Sequence, residues 1–399
     1  MHPHIARLHA IASKGTRRII GLMSGTSLDG LDIALCEVSG AGLSTEARLV
    51  AFATEPYDEG YREKIRSVFS RRDVDLQTVC LLNPWVGRFH ADLILKQLQR
   101  WEIEPKDVDL IASHGQTIYH APRSLHGDPD YPNATLQIGD GDHMAERLGV
   151  ITISDFRQKH LAAGGEGAPL AAYGDLYIFS DPGEDRVMLN IGGIANLTFL
   201  PKSQSMSDVY CSDIGPGNTM MDALMQASGG AAFDADAAVA RAGGVHGGVL
   251  AALKDHAFFE APFPKTTGPE LFNLDYWKAA TSSVGAGALS LEDAMATLNQ
   301  FAADMIVRAL QHCLNDRPNA AIYASGGGVH NPLLMDRISA ALPQVTIGST
   351  DALMINPDAK EAVLFAVLAN ECVAGDGRGA ERGGPAMPST TMGKVSFAD

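Results

Sequence analysis

The chain has 399 residues, 46% of them hydrophobic and 20% charged, with a formal net charge of −16. That length supports two domains, each able to bury its own core, and the composition is that of a soluble globular protein. The negative balance excludes nucleic acid and an anionic membrane surface as broad partners, although a nucleotide needs only a local site. Five cysteines (Cys36, Cys80, Cys211, Cys313 and Cys372) are dispersed without a C-x-x-C spacing, which reads as reduced thiol in a cytoplasmic protein. Residues 1–16 carry histidines and no sustained apolar stretch, so they read as a surface extension rather than a signal peptide. No run approaches the ~20 apolar residues of a membrane span.

In chain order, strand patterns fall near 17–24, 33–38 and 47–54, followed by a helical pattern from about 61 to 100. Asp109–Gly115 reads as a buried strand ending in small polar residues, and 120–134, with three prolines, as an exposed loop. Strands at 135–139 and 150–155 flank a short helix at 142–148. The second half repeats the scheme, with a hairpin at 186–200, a strand at 208–214 and a helix from about 218. Helical stretches follow near 233–242, 246–254, 291–314, 332–342 and 358–374, with strands at 320–325 and 344–349. Gly375–Pro385 reads as a flexible loop before a short tail. Strands first and helices after, twice over, predict two α/β lobes with mixed sheets. The expected division is an extension at 1–16, a first lobe at 17–157 completed by the tail 376–399, and a second lobe at 158–375.

Two stretches are built alike. Arg17–Leu35 and Arg186–Leu200 are each an apolar run, a turn of small residues and a second apolar run, which is a hairpin whose turn leaves backbone N–H groups open to approach. The first turn is Gly25-Thr26-Ser27-Leu28-Asp29-Gly30-Leu31-Asp32, where Asp29 or Asp32 could hold a metal ion through water. It is neither a Walker A loop nor a Rossmann fingerprint. The second centres on Asn190, Gly192 and Gly193. A plain structural turn explains either one alone, but the pair suggests two lobes facing one polyphosphate. Gly326-Gly327-Gly328, after a strand and before a helix, would let a flat ring or ribose lie against bare backbone. Asp213, beside Gly215-Pro216-Gly217, reads as a catalytic base, with a structural cap as the alternative. No histidine pair has zinc-ligand spacing.

Together these elements resemble the actin/hexokinase/Hsp70 type of architecture. Over about 17–395 the chain is similar to anhydro-N-acetylmuramic acid kinases. The resemblance rests on Gly21–Gly30, Ser113-His114-Gly115-Gln116-Thr117, Gly165–Leu170, Asn190–Gly193, Asp213–Asn218 and Pro264–Gly268. It implies a two-lobed, duplicated actin-like ATPase (ribonuclease H-like) fold with an interlobe ATP cleft. ATP and Mg²⁺ are the implied cofactors, and a homodimer is compatible with it. It further implies that residues Gly25–Asp32, Asn190, Gly192, Gly193 and Gly326–Gly328 hold ATP, with Asp29 the metal candidate. Ser113, Gln116, Arg157 and Glu361 are the sugar-side candidates, a solvated helix face being the alternative for Glu361. The chain departs from the family pattern at His160, Glu166 and Pro269, on the expected sugar side.

The implied reaction converts 1,6-anhydro-N-acetylmuramic acid into N-acetylmuramic acid 6-phosphate, a step of peptidoglycan recycling. Three alternatives stay open at this point. A conventional sugar kinase would open no ring, a kinase for another anhydro sugar such as levoglucosan would change only the pocket, and an actin-like filament would need no Asp213 constellation.

Overall fold

The computed structural model describes the chain except residues 230, 316, 318, 376–387 and 389. Two compact units are present. The first holds Met1–Ser180, Gln204–Asp208 and Met354–Asp399; the second holds Asp181–Ser203 and Val209–Leu353.

In the first unit, β1 (Thr16–Ser24), β2 (Gly30–Ser39) and β3 (Glu46–Pro56) form an antiparallel meander. β4 (Leu110–Ser113) lies parallel to β1, a hairpin of β5 (Gln116–Ala121) and β6 (Ala134–Ile138) follows, and β7 (Thr152–Ser154) lies parallel to β4. The C-terminal strand Lys394–Ser396 closes the edge beside β7. The near-continuous apolar run Ile19–Leu22 is what a central strand covered on both faces requires. Successive side chains of a strand point to opposite faces, and Ile20 and Leu22 share a core with Val86, Ile94 and Leu98 of helix Leu76–Arg100. Helix Lys360–Ala374 also packs on β1, and its interior residues are buried.

The second unit repeats this order. β8 (Arg186–Ile191), β9 (Ile194–Leu200) and β10 (Tyr210–Pro216) make the meander; β11 (Ala321–Ser325) runs parallel to β8 and β12 (Ile347–Ser349) parallel to β11. Its core is built on Leu189, Leu197, Phe301, Ile306 and Ile322. The same order in both units, a three-stranded meander extended by parallel strands, is the duplicated actin-like fold with mixed sheets that the resemblance implies.

Several elements differ from the sequence pattern. The helical stretch from 61 to 100 is two helices, Glu59–Arg66 and Leu76–Arg100. Asp58 and Asp75 each cap one by accepting a backbone N–H, and Ser70 between them takes a left-handed φ of 56°. The 120–134 loop contains helix Arg123–His126 and the facing ends of β5 and β6. Residues 1–16 hold helix Pro3–Ala12, with Arg7 donating to the Gly149 carbonyl. Helices Phe156–Ala162, Ala171–Phe179 and Leu274–Ser283 have no counterpart in the sequence reading. Ala171–Phe179 is buried nearly all round, so it lacks the alternating faces that betray a helix. Apart from the short return at Gln204–Asp208, the chain crosses between units at Ser180–Asp181 and Leu353–Met354, against 157–158 and 375 expected, because this helix packs on Lys360–Ala374 within the first unit. Of the predicted Gly375–Pro385 loop, residues 376–385 lie outside those described.

Candidate active site

The β1–β2 turn of the first unit is held by its carbonyls. Gln116 Nε2 donates to Gly25 O at 3.3 Å, Arg62 Nε to Leu28 O at 3.1 Å, and Tyr57 N to Asp29 O at 3.1 Å. Leu28 turns left-handed at φ 59° and buries its side chain, which anchors the turn. Among the described residues none accepts a hydrogen bond from the backbone N–H groups of Thr26, Ser27 or Leu28. Carbonyls tied inward and N–H groups free make a nest for an anion. Thr26, Ser27 and Asp29 are exposed, and Ser27 Oγ donates to Asp29 Oδ2 at 2.7 Å.

Asp32, on β2 beyond Gly30 and the buried Leu31, accepts from Thr54 Oγ1 at 2.6 Å. Burial first, then the nearby charges of Glu361, Asp358 and Asp29, push its carboxyl up to about 6, against the Thr54 bond that lowers it. Among the described residues no group of three His, Cys, Asp or Glu could hold a metal ion.

Of the sugar-side candidates, Ser113 and Gln116 are completely buried. Ser113 Oγ accepts from Gly115 N at 3.2 Å, while Gln116 spends its amide on Gly25 O and Thr117 O and its carbonyl on Ser24 and Tyr61. Both therefore shape the site from beneath. Arg157 is half-buried, and its Nε and Nη2 reach His114 Nε2 at 3.1 and 3.0 Å while Nη1 donates to Gly167 O at 2.6 Å. Burial lowers its pKa to about 10, with Glu361 opposing. His114 is held well below the usual histidine range by burial and then by the Arg157 charge, so it is a neutral acceptor at Nε2. Glu361 lies in the first turn of its helix, open to water yet ringed by protein that raises its carboxyl, with Lys360 and Arg157 pulling back. Beside it, Lys360 makes a buried ion pair with Asp175 at 2.9 Å.

The departures fall unevenly. His160 is fully buried and accepts from Gly167 N at 2.9 Å, so it braces the 164–168 loop, whereas Glu166 and Pro269 are exposed.

In the second unit the β8–β9 turn is fastened in the same way. Gly217 N and Thr219 N donate to Gly193 O at 2.8 and 3.1 Å, and Asn218 N donates to Gly192 O at 2.9 Å. The glycine-rich loop after β11 meets this turn from the side, because Ser325 pairs with Asn190 in the β11–β8 register. Gly326 has a φ of 83°, and a Cβ there would lie 2.5 Å from Asn190 Oδ1. At Gly328 a Cβ would lie 2.2 Å from Ile191 Cγ2, but at Gly327 it would meet only Asn218 Nδ2 at 3.9 Å. Packing thus accounts for two of the three glycines, and Gly327 is the exposed one left for a ligand.

Asp213 sits on β10 at a bulge between Asp213 and Gly215. The Pro264–Gly268 segment is zipped alongside: Lys265 N donates to Ser212 Oγ at 3.0 Å, Asp213 N to Lys265 O at 2.9 Å, and Thr267 N to Asp213 Oδ2 at 2.8 Å. Among the described residues no group donates to Oδ1. Burial raises the carboxyl to about 6; the Thr267 bond lowers it and Glu270 raises it further. That places a carboxylate near neutrality with one oxygen fixed and the other free, which suits a general base.

The structure holds Asn190, Gly192, Gly193 and Gly326–Gly328 in one unit and Gly25–Asp32 with Arg157 and Glu361 in the other. The sequence reading assigns Glu361 to the second lobe instead. It misses Tyr57, His90 and Thr54, which reach the first turn only through pairing and packing that no local pattern encodes. It also misses Asp222, a half-buried carboxyl raised to about 6 by burial. Thr267 is the exception, since it lies in a motif already singled out.

The sequence model of the anhydro-N-acetylmuramic acid kinase family matches residues 17–396. A protein of that name from Pseudoalteromonas atlantica is 55% identical over 401 residues, covering 100% of both chains. One from Pseudoalteromonas translucida is 51% identical over the same span and coverage. One from Caldanaerobacter subterraneus is 38% identical over 394 residues, covering 98% of this chain and 100% of its own. The chain belongs to the anhydro-N-acetylmuramic acid kinase family.

Proposed function

We propose that this protein uses ATP to open 1,6-anhydro-N-acetylmuramic acid and phosphorylate its O6, giving N-acetylmuramic acid 6-phosphate and ADP in peptidoglycan recycling. The observation that carries the mechanism is the Asp213 carboxylate, fixed at Oδ2 by Thr267 and free at Oδ1.

The substrate's O6 is bonded to C1 and carries no proton, so it is a poor nucleophile. Asp213 takes a proton from a water as that water's oxygen bonds to C1. The C1–O6 bond breaks, O6 bonds to the γ-phosphorus, and the bond from that phosphorus to the ADP oxygen breaks. Phosphoryl transfer thereby does what a general acid does in an inverting glycosidase, so one carboxylate suffices.

The free N–H groups of Thr26–Leu28 and the small residues Gly192 and Gly193 are assigned to phosphate, and the bare surface of Gly327 to adenosine. Mg²⁺ in general takes one or two protein carboxylates together with waters and phosphates. Asp29 and Asp32 are the residues that would hold it, and it would supply charge neutralisation at the phosphates. Arg157 and Glu361 are assigned to the sugar; Ser113 and Gln116 spend their polar groups on the protein and shape the site from beneath. Five cysteines with no disulfide among the described residues support a cytoplasmic compartment, and no helix among the described residues is long and apolar enough to cross a membrane.

A panel of anhydro and ordinary amino sugars assayed for ADP release tests the assignment. Turnover confined to the anhydro-muramyl compound is the expected result; a preference for a free-hydroxyl sugar would favour a conventional kinase.

A further inference from the structure

Beneath the β1–β2 turn lies a closed polar network that the reaction itself does not use. Ser24 Oγ is 2.7 Å from Tyr57 Oη and 2.6 Å from Gln116 Oε1. Tyr57 Oη and Tyr61 Oη lie 2.9 and 3.2 Å from His90 Nε2, and Tyr61 Oη is 3.3 Å from Gln116 Oε1. All five residues are buried.

The proton directions follow from donor counting. Gln116 Nε2 donates to the carbonyls of Gly25 and Thr117, so its Oε1 faces Ser24 and Tyr61 and accepts from both. Ser24 has spent its one proton and must accept from Tyr57. Both tyrosine protons are then committed, so His90 donates from Nε2 toward the two phenol oxygens. Burial lowers the His90 pKa to about 3, consistent with a neutral ring whose second nitrogen is bare; Nδ1 has no partner among the described residues. Every link points away from His90 to Gln116, whose amide carries the chain on to Gly25 O in the turn and to Thr117 O.

We infer that Tyr57 and His90 are positioning residues that set ATP affinity by holding Ser24, Gln116 and the Gly25 carbonyl, so that the free N–H groups of the turn stay aimed at phosphate. This rests on the assignment of that turn to phosphate. Buried networks of this kind couple their members, so losing one link loosens the others.

The test compares MgATP dissociation constants, and KM for ATP and for the sugar, in three variants. Tyr57→Phe removes one hydroxyl and keeps the ring stacked on Tyr61 at 3.8 Å. Ser24→Ala cuts the link at the turn and leaves the aromatic group untouched, so it decides the matter should Tyr57→Phe fail to fold. Gly25→Val adds bulk where a Cβ would meet only Ser27 Oγ at 3.6 Å, and so probes the turn itself. Tyr57→Phe and Ser24→Ala are expected to weaken ATP about tenfold, the effect of roughly one lost buried hydrogen bond, with sugar KM within twofold. Normal ATP binding by Gly25→Val would remove the phosphate role of the turn. Loss of ATP in Gly25→Val with normal ATP affinity in the other two would overturn the positioning role alone. Equal losses for ATP and sugar would overturn it as well.

Discussion

Thr267 donates its backbone N–H to Asp213 Oδ2 at 2.8 Å, and this bond decides which carboxylate oxygen is available for chemistry. The donor comes from a segment zipped to β10 on either side of Asp213, so the carboxylate cannot rotate freely.

Asp213→Asn keeps the shape and removes the base. Turnover should fall by about 10²–10⁴-fold, the usual cost of losing general-base catalysis. Because Asp213 is not among the groups assigned to phosphate or adenosine, ATP affinity by calorimetry should stay within about threefold. Near-normal turnover would remove Asp213 from the mechanism.

The pH profile should carry the same signature. A base works deprotonated, and burial raises Asp213 to about 6, so kcat/KM should fall tenfold per pH unit below about 6 and level off above it. Asp32 and Asp222 are also pushed to about 6, so the slope alone does not identify the residue. The residual rate of Asp213→Asn, measured across the same range, should be flat. A residual rate that still falls below pH 6 would assign the titration elsewhere.

The three glycines after β11 should separate into two kinds. Gly328→Ala forces a methyl to within 2.2 Å of Ile191 Cγ2 and should destabilise the fold by about 1–3 kcal/mol, as overpacking does. Gly327→Ala meets nothing closer than 3.9 Å and should leave the melting temperature within about 2 °C while weakening ATP binding. Equal thermal shifts for both would contradict the packing account.

Arg157→Lys keeps a positive charge but loses the planar fork that spans His114 and Gly167. Sugar KM should rise about tenfold, an effect of the size expected for one charge-assisted hydrogen bond, with ATP affinity unchanged. A change confined to ATP would move Arg157 out of the sugar group.

Much of this architecture was legible in the sequence because it is local. The paired hairpins announce themselves through apolar runs around small residues, and the strand–turn–helix around Asp213 through Gly-Pro-Gly. What could not be read depends on distant packing. Gln116 looks like a sugar ligand in its motif, yet pairing of β5 with β6 and contact with Ser24 commit its whole amide to the protein. Gly326 and Gly328 suggest a bare nucleotide surface, but β8 lies against them. Ala171–Phe179 has no polar face, so the helix that carries Asp175 to Lys360 gave no periodic signal. His160 differs from the family pattern in type, but it is fully buried and its Nδ1 accepts from Gly167 N.

If water opens the ring as O6 takes the phosphoryl group, solvent oxygen must end on the sugar, and isotope tracing reads where it goes. The reaction is run in ¹⁸O-water, quenched early because reducing sugars exchange their anomeric oxygen, and compared with a sugar-phosphate control. Fragment masses then separate C1 from the phosphate. The account predicts solvent oxygen at C1 and none in the transferred phosphate. A phosphorylated product that keeps its anhydro ring, or an unlabelled C1, would contradict it.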